Sequence, residues 1–168
     1  MQLSLFAFLV TYLVERVQLD LVSAGLVFSV MQGAGIVARV LWGWVSDRAI
    51  AARPLLALLG AGVIVTTLIA STFSPQWALP ALVAVATALG LTAVGWNGVY
   101  LAEVARAVPL PRVGRATGGV LLFTFAGVAV GPATFGAIVA ASGSYTAAFI
   151  TLDALVGITV ILLLRARD

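Results

Sequence analysis

The chain contains no cysteine and no histidine. Without them there is no disulfide, no thiolate nucleophile, no imidazole acid-base group and no imidazole metal ligand, so much of enzymatic chemistry is closed to it. Lysine is missing as well. All nine basic residues are arginine, a usage that fits, together with the abundance of alanine and valine, a GC-rich bacterial genome. Charge of either sign is scarce: charged residues make up 9% of the 168 positions, against about 25% in an ordinary soluble domain.

Apolar residues fill the space instead, at 62% of the chain. Apolar runs of about 20 residues recur along its whole length, which is what a helix rising 1.5 Å per residue needs to cross about 30 Å of hydrocarbon. A β-barrel strand alternates in polarity over about ten residues, and these runs do not alternate. The expected fold is therefore all-α, a polytopic membrane protein with six transmembrane helices in a single six-helix bundle over 1–168. The helices are expected from the start to about Val17, Leu21 to Ser46, Pro54 to Thr72, Trp77 to Val104, Gly114 to Ala141 and Tyr145 to Leu164. Pro54 fits a first helical turn, and "SPQW" (74–77), "VPLPR" (108–112) and "SGSY" (142–145) read as turns and loops.

Alternate loops differ in charge. Arg48, Arg53, Arg106, Arg112, Arg115, Arg165 and Arg167 fall on one side, and only Arg16 falls on the other, beside Glu15 and Asp20. The positive-inside rule puts the arginine-rich side, and with six crossings both termini, in the cytoplasm of a bacterial inner membrane. Arginines at helix ends also account for the net charge of +3, so no nucleic acid partner is implied. The first helix is short: fourteen residues precede Glu15, and Gln2 follows Met1 without a basic flank. A signal peptide would show a positive n-region and a small-residue cleavage site, and neither is present. The expectation is a chain that continues a longer protein.

"GWVSDRAIAARPLL" (43–56) sits across the turn between the second and third helices. It resembles the signature loop of the major facilitator superfamily, approximately G-x-L-a-D-R-x-G-R-R: Gly43, Val45, Ser46, Asp47 and Arg48 match its first half, while Ile50 replaces the second glycine and only Arg53 remains of the basic cluster. "GWNGVYLAEVAR" (95–106) with "RVGRATGG" (112–119) is similar to the tenth helix and following loop of bacterial members, and "GVAVGPATFG" (127–136) to the Gly-Pro motif. The resemblance covers nearly the whole chain. It implies the C-terminal half of a twelve-helix secondary transporter, built of two inverted three-helix repeats. The partners implied are membrane lipid, a small-molecule substrate, and either the N-terminal six-helix bundle or a second copy of this chain. By resemblance Asp47 would contact a helix of the opposite bundle. The alternative for Asp47 and Arg48 is a pair that stops the helix and sets topology.

An arginine at the bilayer centre costs about 2.5 kcal/mol or more, so Arg39 needs a partner or water. Gln32, Gly35, Arg39 and Gly43 follow three-and-four spacing, one polar and small stripe on the second helix. Thr87, Gly90, Asn97, Tyr100 and, more loosely, Glu103 share a side of the fourth, with Trp96 adjacent. Tyr12, Gln32, Arg39, Trp96, Asn97 and Tyr100 are the candidate substrate-facing residues, an organic anion being the natural ligand of a guanidinium fork. Each has a plainer reading. Arg39 could pair with Glu103, Asn97 could join helices, Trp96 could be packing, and Tyr12 could belong to an interfacial belt.

Glu15, Glu103 and Asp153 are candidate proton-coupling groups, with a structural role as the alternative for Asp153 and a gate or snorkelling pair for Glu15 and Arg16. Gly127, Gly131 and Pro132 combine close packing with a kink suited to a rocking bundle, although the Gly-Pro motif here occupies the eleventh-helix position and antiport does not follow. No cofactor is implied, and no phosphate-binding loop occurs. A half-size transporter acting as a homodimer is a second reading. A third, an intramembrane hydrolase, lacks both a histidine base and a G-x-S-G motif.

Overall fold

A computed structural model describes residues 2–165, in which every regular element is a helix. In chain order these are α1 (Gln2–Glu15), α2 (Leu21–Arg48), α3 (Ala52–Ser71) and α4 (Leu79–Leu89). A π-helical turn (Gly90–Val94) follows, then α5 (Trp96–Arg106), a 3-10 turn (Leu110–Arg112), α6 (Val113–Ser142) and α7 (Tyr145–Arg165). Five stretches are long and apolar enough to cross a membrane: Leu21–Arg48, Ala52–Ser71, Leu79–Arg106, Leu110–Ser142 and Tyr145–Arg165. Gln2–Glu15 is a shorter apolar helix, as its sequence implied.

Local chemistry sets the ends. The Asp20 carboxylate accepts the Val22 and Ser23 amides, both at 3.0 Å, capping α2 where the first orphan N–H groups need acceptors. Gly143 closes α6 at φ 65°, a left-handed backbone that glycine adopts at no steric cost. The expected helices shift by a few residues. The first ends at Glu15 rather than Val17, the second runs on to Arg48, and the fourth begins at Leu79 because "SPQW" folds as a turn with the Trp77 amide donating to the Ser74 carbonyl.

A larger correction concerns the fourth span, expected as one uninterrupted helix. The π turn inserts an extra residue per turn, so the stripe from Thr87 to Tyr100 does not keep one α-helical register. Its cause is visible in the packing. A Cβ at Gly90 would collide with the Met31 carbonyl oxygen, one at Gly35 would lie 2.5 Å from Val94 Cγ1, and one at Gly95 would lie 2.6 Å from Trp42 Cδ1. Here α2 and the π turn touch backbone to backbone, and the Trp42 indole donates to the Leu91 carbonyl at 2.7 Å, satisfying an acceptor within the turn.

Two clusters hold the remainder. At the Glu15 end of α1, Tyr12, Phe73, Phe135, Tyr145 and Phe149 gather from α1, α6, α7 and the loop after α3, with Tyr12 5.1 Å from Tyr145 and Phe135 5.2 Å from Phe149 between ring centroids. At the opposite end Leu55, Leu59 and Val99 pack with Trp42 and Trp96. The helix α3 runs closely against α7. Phe135 is the buried residue of α6, whose first two thirds turn Leu122 and Phe123 outward, 70% and 79% exposed.

Gly90→Val is expected to destabilise the protein by about 1–3 kcal/mol, the usual cost of overpacking. Gly33→Ala, which meets open space, should leave the melting temperature in detergent unchanged or slightly higher; equal melting of the two variants would remove the backbone contact from this account. Hydrogen bonds from Ser23 and the Val22 amide hold the Asp20 carboxyl below the usual carboxylate range. The cap's contribution is therefore full at neutral pH and lost as the pH falls through that lowered value. Asp20→Asn keeps a capping oxygen, so its unfolding should depend less on pH between neutrality and acid than that of the wild type.

Candidate functional site

A cavity of about 570 Å³ opens between α3, the π turn, α5, α6 and α7. Its polar lining is Gln2, Thr92, Trp96, Tyr100, Thr124 and Thr159, set among Leu56, Leu59, Val63, Val156 and Val160. The π turn determines which side chains arrive there. Trp96 and Tyr100, one helical turn apart on α5, stand with ring centroids 5.5 Å apart, and Trp96 also rests on the Leu55–Leu59 cluster. Trp96 therefore packs on that cluster and lines the cavity at the same time.

The threonines were not singled out from the sequence. Thr92, Thr124 and Thr159 each return their hydroxyl to the carbonyl four residues earlier, at 2.8, 2.9 and 3.0 Å. A threonine that satisfies itself on its own helix looks inert in an apolar run, and only the tertiary fold brings the three to one cavity. Gln2 had no signal beyond being polar.

The other candidates lie elsewhere. Asn97 Nδ2 donates to Gln2 Oε1 at 3.2 Å, joining α5 to α1 at the cavity's edge. Gln32 Oε1 is buried with no hydrogen-bond partner among the described residues. Arg39 is exposed on α2, where Gly98 of α5 approaches its carbonyl oxygen closely enough that a Cβ would be 3.5 Å away. No ion pair joins Arg39 to Glu103; the ion pair described between α2 and α5 is Arg106 with Asp47. Tyr12 is not in this cavity. It is 2% exposed in the aromatic cluster and donates its hydroxyl to the Ala70 carbonyl at 2.7 Å.

The signature loop also has partners inside the chain. Asp47 meets Arg106, with side chains 60% and 52% exposed. The Arg48 guanidinium sits 5.3 Å from the Trp44 ring centroid, a cation–π contact. A Cβ at Gly43 would meet nothing within 4 Å, and Arg53 stands in the first turn of α3.

Of the coupling candidates, Glu15 accepts the Tyr145 hydroxyl at 2.7 Å, beside a polar cavity of about 340 Å³ that Arg16 and Tyr12 also line. Glu103 is half-buried on α5. Asp153 is buried, with both carboxyl oxygens against Thr67 Oγ1. The α6 motif faces α1 in part: a Cβ at Gly131 would lie 3.4 Å from Ser4 Oγ, whereas one at Gly127 would meet nothing within 4 Å. The helix α6 is continuous through Pro132.

Several apolar helices of spanning length, crossed by self-satisfied threonines and sparse charges, define a multi-pass helical membrane protein. The family model of the Major Facilitator Superfamily matches residues 1–168, and the chain belongs to that family of secondary transporters, which carry solutes and are not enzymes. No curated protein and no solved structure matches it.

The pair Asp47 and Arg106 is more than half exposed, so its coupling energy should be about 1 kcal/mol or less. A double-mutant cycle of Asp47→Asn and Arg106→Gln on thermal unfolding should return a value in that range. A coupling several times larger would mean that the pair is shielded from solvent and locks α2 to α5.

Proposed function

We propose that this chain is one six-helix bundle of a transporter that moves a small polar solute, an organic anion, across the bacterial inner membrane by alternating access. The bundle consists of two inverted three-helix repeats and rocks against an opposing six-helix bundle, either the N-terminal half of the same protein or a second copy. Both termini are assigned to the cytoplasm on the arginine distribution.

The observation that carries the anion reading is Arg39. It lies within a spanning helix, eight residues or about 12 Å along the axis from Asp47, and no carboxylate among the described residues pairs with it. A guanidinium at that depth is stabilised by water or by a counter-ion, and a transported carboxylate supplies the second. The faces that would meet the opposing bundle are consistent with this. Ile36, Val37 and Val40 of α2 and Phe123 and Phe125 of α6 are exposed apolar residues flanking Arg39 and the cavity of Trp96 and Tyr100. Gln32, with its unpartnered oxygen, and Asn97 supply neutral polar contacts on the same two elements, α2 and α5.

Uptake of a panel of radiolabelled mono- and dicarboxylates into vesicles containing the protein tests the reading. Arg39→Ala should lower uptake of the carried anion by about one to two orders of magnitude, the worth of a charge-assisted hydrogen bond, at unchanged protein level. Wild-type rates in Arg39→Ala would exclude Arg39 from the substrate path.

A further inference from the structure

The buried carboxyl group of Asp153 lies in the seam between α3 and α7. Thr67 Oγ1 is 2.7 and 2.8 Å from the two Asp153 oxygens. The same hydroxyl is 2.6 Å from the Val63 carbonyl oxygen and 3.1 Å from that of Ile64. A threonine hydroxyl has one proton, and a backbone carbonyl can only accept. If that proton goes to Val63, the closest acceptor, the contacts to Asp153 set lone pairs against lone pairs unless Asp153 brings a proton of its own. One acid proton resolves the count: the Asp153 hydroxyl donates to Thr67 Oγ1, and Thr67 donates to Val63.

Among the described residues no charged side chain offers an alternative. The helices packed on α7 are α3 and α6, whose ionisable residues are Arg53 and Arg115, each within the first three positions of its helix and at the end remote from Thr67. On α7 itself the others are Tyr145 and Arg165 at its two ends. On α1, Tyr12 donates to Ala70, and Glu15 accepts from Tyr145. An ionised carboxylate in the seam would be desolvated with a single hydroxyl for company, a strongly unfavourable state.

We propose that Asp153 is a proton-binding site, protonated when α7 is packed on α3 and deprotonated only when that seam opens or takes up water. Release breaks the carboxyl O–H bond and passes the proton to a water molecule, leaving the carboxylate. Asp153 is eight residues, about 12 Å, from the Tyr145 end of α7, and the polar cavity beside Glu15 and Tyr145 is the near aqueous surface. Proton binding at Asp153 is thereby linked to closure of α3 on α7. The site stands on geometry alone and does not depend on the identity of the solute.

Infrared spectroscopy of the protein in phosphatidylethanolamine–phosphatidylglycerol vesicles tests it without any substrate. At neutral pH the wild type should show a protonated-carboxyl C=O band that shifts in D₂O, is absent from Asp153→Asn, and moves in Thr67→Val, where the acid loses its acceptor. Because the folded state keeps a proton that the unfolded state gives up, wild-type thermal stability should fall as pH rises through neutrality relative to Asp153→Asn. A wild-type spectrum with no such band, or a band unmoved by Thr67→Val, overturns the proposal. So does a stability difference that is flat with pH.

Discussion

In a hydrocarbon layer no water competes for a backbone amide or carbonyl, so each must find its partner within the protein. The rest of this structure follows from that constraint. It makes every spanning segment a helix, and it favours hydroxyls that return to their own turns, as those of Thr66, Thr87, Thr92 and Thr124 do. It also makes the departure at Gly90–Val94 conspicuous. The π turn is accommodated because Gly90 lets it meet the α2 backbone at Met31, because Gly35 and Gly95 leave room for the Val94 and Trp42 side chains, and because Trp42 supplies a donor to Leu91.

That local contact has a consequence at the site. By shifting the helical phase between Thr87 and Trp96, it lets α4 pack on α2 while α5 directs Trp96 and Tyr100 into the cavity against α3 and α7. Association of helices in lipid gains little from the hydrophobic effect and relies on close packing and interhelical hydrogen bonds. Glycine at the seam and an indole bond across it are that pair of devices in one place. The helix α6, by contrast, is secured through Phe135, Ile138 and Val139 at the aromatic cluster around Tyr145, while Leu122 and Phe123 in its first two thirds are exposed.

Much of this was legible from residue order. Runs of apolar residues broken by "SPQW" and "SGSY" delimit the spans, and the shortness of α1 is plain from the position of Glu15. The π turn was not legible: "GLTAV" is as good a helix as its surroundings, and its geometry is set by α2 packing from outside. The same holds for partners. Sequence spacing brought Arg39 and Glu103 together as a candidate pair, whereas the ion pair formed is Asp47 with Arg106, because a register on one helix says nothing about the height of its neighbour. Tyr12 read equally well as a cavity or interfacial residue until Phe73, Tyr145 and Phe149 were seen to close around it. Asp153 was recognisable as a lone acid in an apolar helix, but its threonine partner lies 86 positions away in the chain.

The central claim is that these helices cross the bilayer in alternation. With no native cysteine, single cysteines placed at Ile50, Gln76 and Arg112 can be labelled by an impermeant maleimide in oriented membranes. Ile50→Cys and Arg112→Cys should react from one side and Gln76→Cys from the other. Reaction of all three from the same side would contradict the account.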